Sequence, residues 1–164
     1  PGICGEVLTQ SPSRIESPAM ENEFSLLTAA EIEDAQKAWA AAVVRQDVDA
    51  LAALYDFDCL LFKPTMASGE QTFRPTKDGA LAYFVGHSDE YPLDGGFGIK
   101  GWRKVDSETS ECFIDGDIAM WMGWVTFTDK NGSVTKVDKS WGYKKDDTGV
   151  LRIVLHHSSL PYSP

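Results

Sequence analysis

The run that closes the final strand candidate, Leu155-His156-His157-Ser158-Ser159, holds the densest set of groups able to exchange protons. Side chains alternate across a strand, so His156 and Ser158 share one face with Val154, while His157 and Ser159 share the other with Ile153 and Leu155. The two imidazoles therefore point apart. Histidine, with an ordinary pKa of about 6.5, is the side chain suited to proton exchange near neutrality. Two further groups merit attention. Thr65 follows Lys63-Pro64 with the parity of Leu61 and Lys63, and its hydroxyl both donates and accepts. Tyr83 lies in an apolar helical run. Each has a plainer reading as well: the His/Ser pair satisfying backbone groups at the end of a sheet, Thr65 serving a turn, Tyr83 filling the core.

Other chemistries find little support. The remaining histidine, His87, stands in a glycine-rich stretch, and neither a His-x-x-x-His pair nor a Glu-rich facial set is present. Cys4, Cys59 and Cys112 show no CxxC spacing, and an odd number cannot all pair within one chain. Asp146, Asp147 and Thr148 read as turn residues, since the twelve-residue calcium loop with its terminal Glu is missing. There is no Gly-x-Ser-x-Gly, Walker-type or Gly-x-Gly-x-x-Gly motif. Lys136, Lys139, Lys144, Lys145 and Arg152 read as solvated strand faces.

Helices come first in the chain and strands last. Thr28 with Glu31 makes a capping box that opens an Ala-rich run with Ile32, Ala35, Trp39, Ala42 and Val43 at helical spacing, ending near Gln46. Asp47 can cap a second, shorter helix through Leu51, Leu54 and Tyr55. A strand over 59–63 stops at Pro64, a short hairpin to 72–74 follows, and a third helix begins at Pro75-Thr76 and closes at Gly86. Residues 86–98 form a long loop. Five strand candidates succeed it: 98–107, 110–114, 118–128, 134–145 and 150–158. Asp115-Gly116, Asn131-Gly132 and Thr148-Gly149 supply turns for an antiparallel meander. The expected class is α+β, with helices packed on one face of the sheet. Both faces of 118–128 are apolar, with Ala119, Trp121, Val125 and Phe127 on one and Ile118, Met120, Met122 and Trp124 on the other. A one-layer sheet in a monomer keeps one face wet, so the second face is expected to bury in a homodimer.

At 164 residues the chain fits one domain, read as spanning 25–164. Residues 1–24, with Pro1, Pro12 and Pro18 among serines and glutamates, read as a tail or linker. The start at Pro1 suggests a processed or excised segment. Fifteen basic against twenty-five acidic residues give a net charge of −10, which offers no footprint for nucleic acid or an anionic membrane surface. No apolar run approaches the roughly 18–20 residues needed to cross a bilayer.

The helices from Thr28 to Tyr55, Phe62-Lys63-Pro64-Thr65, the glycine-rich loop, Ser140-Trp141-Gly142-Tyr143 and the ending His156-His157-Ser158-Ser159-Leu160-Pro161 together resemble the iota-class carbonic anhydrases of algae and bacteria. Their cone-shaped fold is shared with nuclear transport factor two. The likeness covers roughly 25–162, and the His-His-Ser-Ser-x-Pro ending is its most specific part. It implies reversible hydration of carbon dioxide to bicarbonate and a proton, by a homodimer. Carried over, Thr65, Tyr83 and Ser158 would hold the attacking water and the bicarbonate oxygens, and His156 would complete the hydrogen-bond network. The poverty of ligands favours the version without a cofactor over one using manganese or zinc. The family also implies a plastid location.

Two rivals use the same architecture. An isomerase or small hydrolase would need a carboxylate base in the cavity, for which Asp56 and Asp58 are the nearest candidates in sequence. A non-catalytic association domain would need only the two-sided apolar strand.

Overall fold

The computed structural model describes residues 26–67 and 69–164, so the expected tail over 1–24 lies outside the described part. Helix α1, Ala29–Arg45, opens with the reciprocal cap anticipated from the sequence. The Glu31 N–H donates to the Thr28 hydroxyl at 3.3 Å, and the Thr28 N–H donates to the Glu31 carboxylate at 2.9 Å. Its buried stripe is Ile32, Gln36, Trp39, Ala42 and Val43, and the helix ends on Gln46 in the left-handed region. Asp47 caps the short α2, Val48–Ala52, by accepting from the Ala50 N–H at 2.9 Å. Tyr55 lies beyond that helix, in an isolated bridge to Ile153.

Strand β1, Leu61–Lys63, is shorter than the expected 59–63 and ends before Pro64. Among the described residues the expected hairpin does not form: residues 72–74 return beside β1 through a backbone bond, Arg74 N–H to Phe62 carbonyl at 2.9 Å. Helix α3, Lys77–Val85, is capped by Thr76 and closed by Gly86 at φ 68°. The loop after it is pinned by a buried ion pair. Arg74 donates twice to Asp94, at 2.5 and 2.8 Å, donates to the Gly79 carbonyl and stacks over Tyr91. A single 3₁₀ turn, Phe97–Ile99, leads into the sheet.

The sheet is built from β1, β2 (Lys104–Asp115), β3 (Ile118–Thr128), β4 (Val134–Lys145) and β5 (Leu151–Ser159) in the order β1-β5-β4-β3-β2. β1 runs parallel to β5 and every other pair is antiparallel, so the α+β expectation holds. The strands expected at 98–107 and 110–114 are one strand, β2, whose register to β3 shifts between Thr109 and Glu111. The intervening residues contain no glycine or proline to turn the chain, so a bulge absorbs the irregularity instead.

The core fills the space between the helices and one face of the sheet. Trp39, Phe84, Trp121, Phe127, Trp141 and Tyr143 are each at most 2 % exposed within it. β3 keeps the alternation read from sequence: Ala119, Trp121, Val125 and Phe127 are buried, while Ile118, Met120 and Met122 on the outer face are 48 %, 55 % and 60 % exposed. Gly123 faces the bulge. A Cβ there would overlap the Glu108 carbonyl oxygen and come within 2.7 Å of the Trp121 ring. Gly123→Ala should therefore lower unfolding stability by about 1–3 kcal/mol, the usual range for overpacking, as measured by urea denaturation.

Candidate functional site

Register places the site. In β4–β5, Trp141 stands opposite His156 and Lys139 opposite Ser158. Residues opposite each other share a face, and this is the core face: His156 and Ser158 are 2 % exposed, whereas His157 points outward. Between Phe62, 4.4 Å away, and Tyr55, stacked at 5.9 Å, the His156 ring makes two polar contacts. Its Nδ1 is 2.8 Å from the Tyr55 hydroxyl, which accepts the Trp39 indole N–H at 2.8 Å. Its Nε2 is 2.5 Å from Lys139 Nζ. Burial, joined by the neighbouring Lys139 and His157, holds His156 well below the usual imidazole range, so the ring is neutral at physiological pH.

Thr65 reaches the same place by a different route. Leu61 is exposed on the outer face while Phe62 is buried, so Thr65 does not follow the parity of Leu61 and Lys63; the strand has already ended, and the turn after buried Pro64 brings its side chain inward. Its hydroxyl donates to the Ser158 hydroxyl at 2.7 Å. Tyr83 comes from the middle of α3, packed on Phe62 and Phe97. Burial raises its phenol pKa, opposed by the Met66 backbone N–H, so it stays a protonated donor. Thr65, Tyr83, His156 and Ser158 all line one cavity, walled by Trp39, Phe84, Phe97, Phe127 and Val137. The void is small, about 10 Å³, room for roughly one water molecule. No carboxylate is among its lining residues. Asp56 instead accepts from the Asp58 N–H and the Cys59 thiol in a surface turn.

Two members of the network were not anticipated. Lys139 is 4 % exposed, not on a solvated strand face. Its Nζ sits 5.1 Å and 4.9 Å from the ring centroids of Trp39 and Trp141, and burial holds its pKa well below the usual lysine range. The signal was available: Val137, Lys139, Trp141 and Tyr143 alternate along β4, so a lysine occupies an apolar face. Lys145 departs from that expectation too, its side chain buried and 2.8 Å from Glu31. Tyr55 carried no comparable signal, because its place depends on how the chain leaves α2. His87 does not line the cavity, and among the described residues no group of three or more His, Cys, Asp or Glu could hold a metal ion.

The family model described as metal-independent carbonic anhydrase matches residues 30–160. A metal-independent carbonic anhydrase of a Nostoc strain is 46% identical over 153 residues, covering 83% of this chain and 75% of that protein. The crystal structure of a cyanobacterial iota-carbonic anhydrase complexed with bicarbonate superposes with a TM-score of 0.78 at 43% identity, over 85% of this chain and 95% of that one. A calcium/calmodulin-dependent kinase II association domain from Xanthomonas campestris superposes at 0.61 with 24% identity, over 84% and 91%, and shares the fold alone.

The buried network sets two expectations. Tyr55→Phe leaves the Trp39 N–H and His156 Nδ1 without their shared partner and should lower stability by about 1–3 kcal/mol in chemical denaturation. His156 is neutral in the folded protein but binds a proton when unfolded below about pH 6.5. Its contribution is therefore complete above that pH and is lost as pH falls, by up to about 1.4 kcal/mol per pH unit. Thermal unfolding followed from pH 7 to pH 5 should show the midpoint dropping.

Proposed function

Because the chain belongs to the metal-independent carbonic anhydrase family and is therefore a carbonic anhydrase, we propose that carbon dioxide is hydrated in the cavity lined by Thr65, Tyr83, His156 and Ser158. The observation that carries this reading is a pair of hydroxyls 2.7 Å apart in a small buried void, with Tyr83 and His156 beside them and aromatic rings among its other walls. The bicarbonate held by the cyanobacterial relative supports it.

The chemistry follows from the lining. Aromatic and aliphatic walls suit a linear apolar gas. The Thr65 and Ser158 hydroxyls accept and donate at once, and can fix a water with a lone pair aimed at the carbon. As the C–O bond forms, negative charge grows on the substrate oxygens, and Tyr83, kept protonated, can donate to one of them. His156 is neutral and anchors the strand that carries Ser158. In zinc enzymes the metal lowers the pKa of its bound water from about 15.7 to about 7, storing hydroxide in advance. This site must remove the proton as the bond forms, a step for which a positioned base contributes typically about 10²–10⁴-fold. The expected enzyme is slower than the zinc type.

An isomerase mechanism would require a carboxylate that the cavity lining lacks. The association-domain fold favours assembly, and here it is compatible with catalysis. A homodimer formed through the outer sheet face is supported by Phe113 and Met120, paired across β2–β3 and 59 % and 55 % exposed, with Ile118 and Met122 beside them. An apolar cleft of about 510 Å³, lined by Leu61, Phe73, Leu155 and His157 among others, lies on the same side of β1 and β5.

Stopped-flow hydration of carbon dioxide by metal-stripped protein tests the reading. Thr65→Ala and Ser158→Ala should each lose about 10²-fold or more in turnover with circular dichroism unchanged, and chelators should leave wild-type turnover intact. Activity that vanishes with a chelator and returns with one metal would reject it. Met122→Lys should shift sedimentation toward the monomer.

A further inference from the structure

The donors and acceptors around His156 fix the protonation of its neighbour. The Trp39 indole can only donate, so Tyr55 oxygen accepts from it. The Tyr55 hydroxyl proton then has one bonded acceptor among the described residues, His156 Nδ1. With Nδ1 accepting, the neutral ring carries its proton on Nε2 and must donate to Lys139 Nζ, 2.5 Å away. An ammonium has no lone pair to receive it. A charged Lys139 would force Nε2 to accept and Nδ1 to donate, leaving the Tyr55 proton buried without a partner. Only a neutral amine leaves the indole N–H, the phenol O–H and both ring nitrogens all partnered, with its own N–H bonds over the Trp39 and Trp141 rings.

The surroundings agree. No carboxylate forms an ion pair with Lys139 among the described residues. The elements packed on it supply neutral or basic groups: Trp39 from α1, Tyr83 from α3, Thr65 from the turn after β1, Gly123 opposite it on β3, and His156 and Ser158 from β5. His157, the other titratable group in electrostatic reach of Lys139, adds no negative charge. Lys139 also lines the cavity that holds the Thr65 and Ser158 hydroxyls.

We propose that Lys139, held as a neutral amine against His156 Nε2, is the base that takes the proton from the attacking water. The step balances. Rotation about the Cε–Nζ bond turns the amine lone pair from the Nε2–H into the cavity. A water oxygen lone pair forms the new bond to carbon, one C=O π pair moves onto its oxygen, and the water O–H electrons stay on the oxygen as its proton passes to Nζ. The products are bicarbonate and an ammonium seated over the Trp39 and Trp141 rings. Because Nε2–H offers that ammonium no acceptor, it gives its proton to solvent once bicarbonate leaves.

The proposal rests on hydration in this cavity, and its test separates the two. In wild-type protein labelled with ¹³C-lysine, one Cε resonance should titrate well below the others and already report an amine at pH 8. Its loss in Lys139→Met, or in Lys139→Gln should the former not fold, assigns it. Between pH 7.5 and 9.5 the unfolded chain binds one proton more than the folded one at this residue. The wild-type folding constant should therefore rise about tenfold per pH unit relative to Lys139→Met. Stopped-flow turnover of the variant should fall about 10²–10⁴-fold. All lysine resonances titrating near pH 10, or a variant with wild-type turnover, would overturn the assignment. A low-titrating Lys139 in a wild-type protein inactive toward carbon dioxide would overturn the hydration site and the base role together, while leaving the neutral amine standing.

Discussion

The antiparallel pairing of β4 with β5 is the constraint from which the rest of the site follows. Trp141 opposite His156 and Lys139 opposite Ser158 put an aromatic wall, an imidazole, an amine and a hydroxyl on one patch of the core face. A slip of one residue would exchange that set for Ser140, His157 and Ser159, and expose the tryptophan. The register is well defended, because the same shift would turn Val137 and Tyr143 out of the core as well. Packing and chemistry thus depend on the same alternation.

The polar groups on that patch are costly to bury, and the structure meets the cost by closing them into a chain. Trp39, Tyr55, His156 and Lys139 satisfy one another in series, each within 2.8 Å of the next. The Arg74–Asp94 pair does comparable work at the loop over 86–98, where both side chains are at most 2 % exposed. Removing one partner there would strand a buried charge. The cavity is therefore bordered by a closed polar chain and lined by rings that meet mostly edge to face.

What was legible in the sequence was whatever period or local chemistry encodes. The Thr28–Glu31 cap, the Asp47 cap, the Gly86 stop and the shared face of His156 and Ser158 follow from rules acting over a few residues, whereas the register shift at Gly142–Tyr143 puts Ile153, not Val154, on the core side with them. The meeting of Thr65 with Ser158 was reached through resemblance; strand parity would have sent Thr65 outward, because parity ends where the strand does. The merged β2 was missed because a bulge has no reliable turn signature. Lys139 was misread since a lysine is ordinarily a surface residue, although its neighbours' alternation said otherwise. Tyr55 was invisible, its position being set by packing that only the finished fold defines.

The parallel pairing of β1 with β5 joins chain segments that are 93 residues apart at Thr65 and Ser158. Strand β5 follows every other described element in the chain, so a nascent chain on the ribosome cannot assemble the hydroxyl pair until residues 151–159 have emerged. A truncated product lacking those residues would form its helices without the hydroxyl pair that lines the cavity.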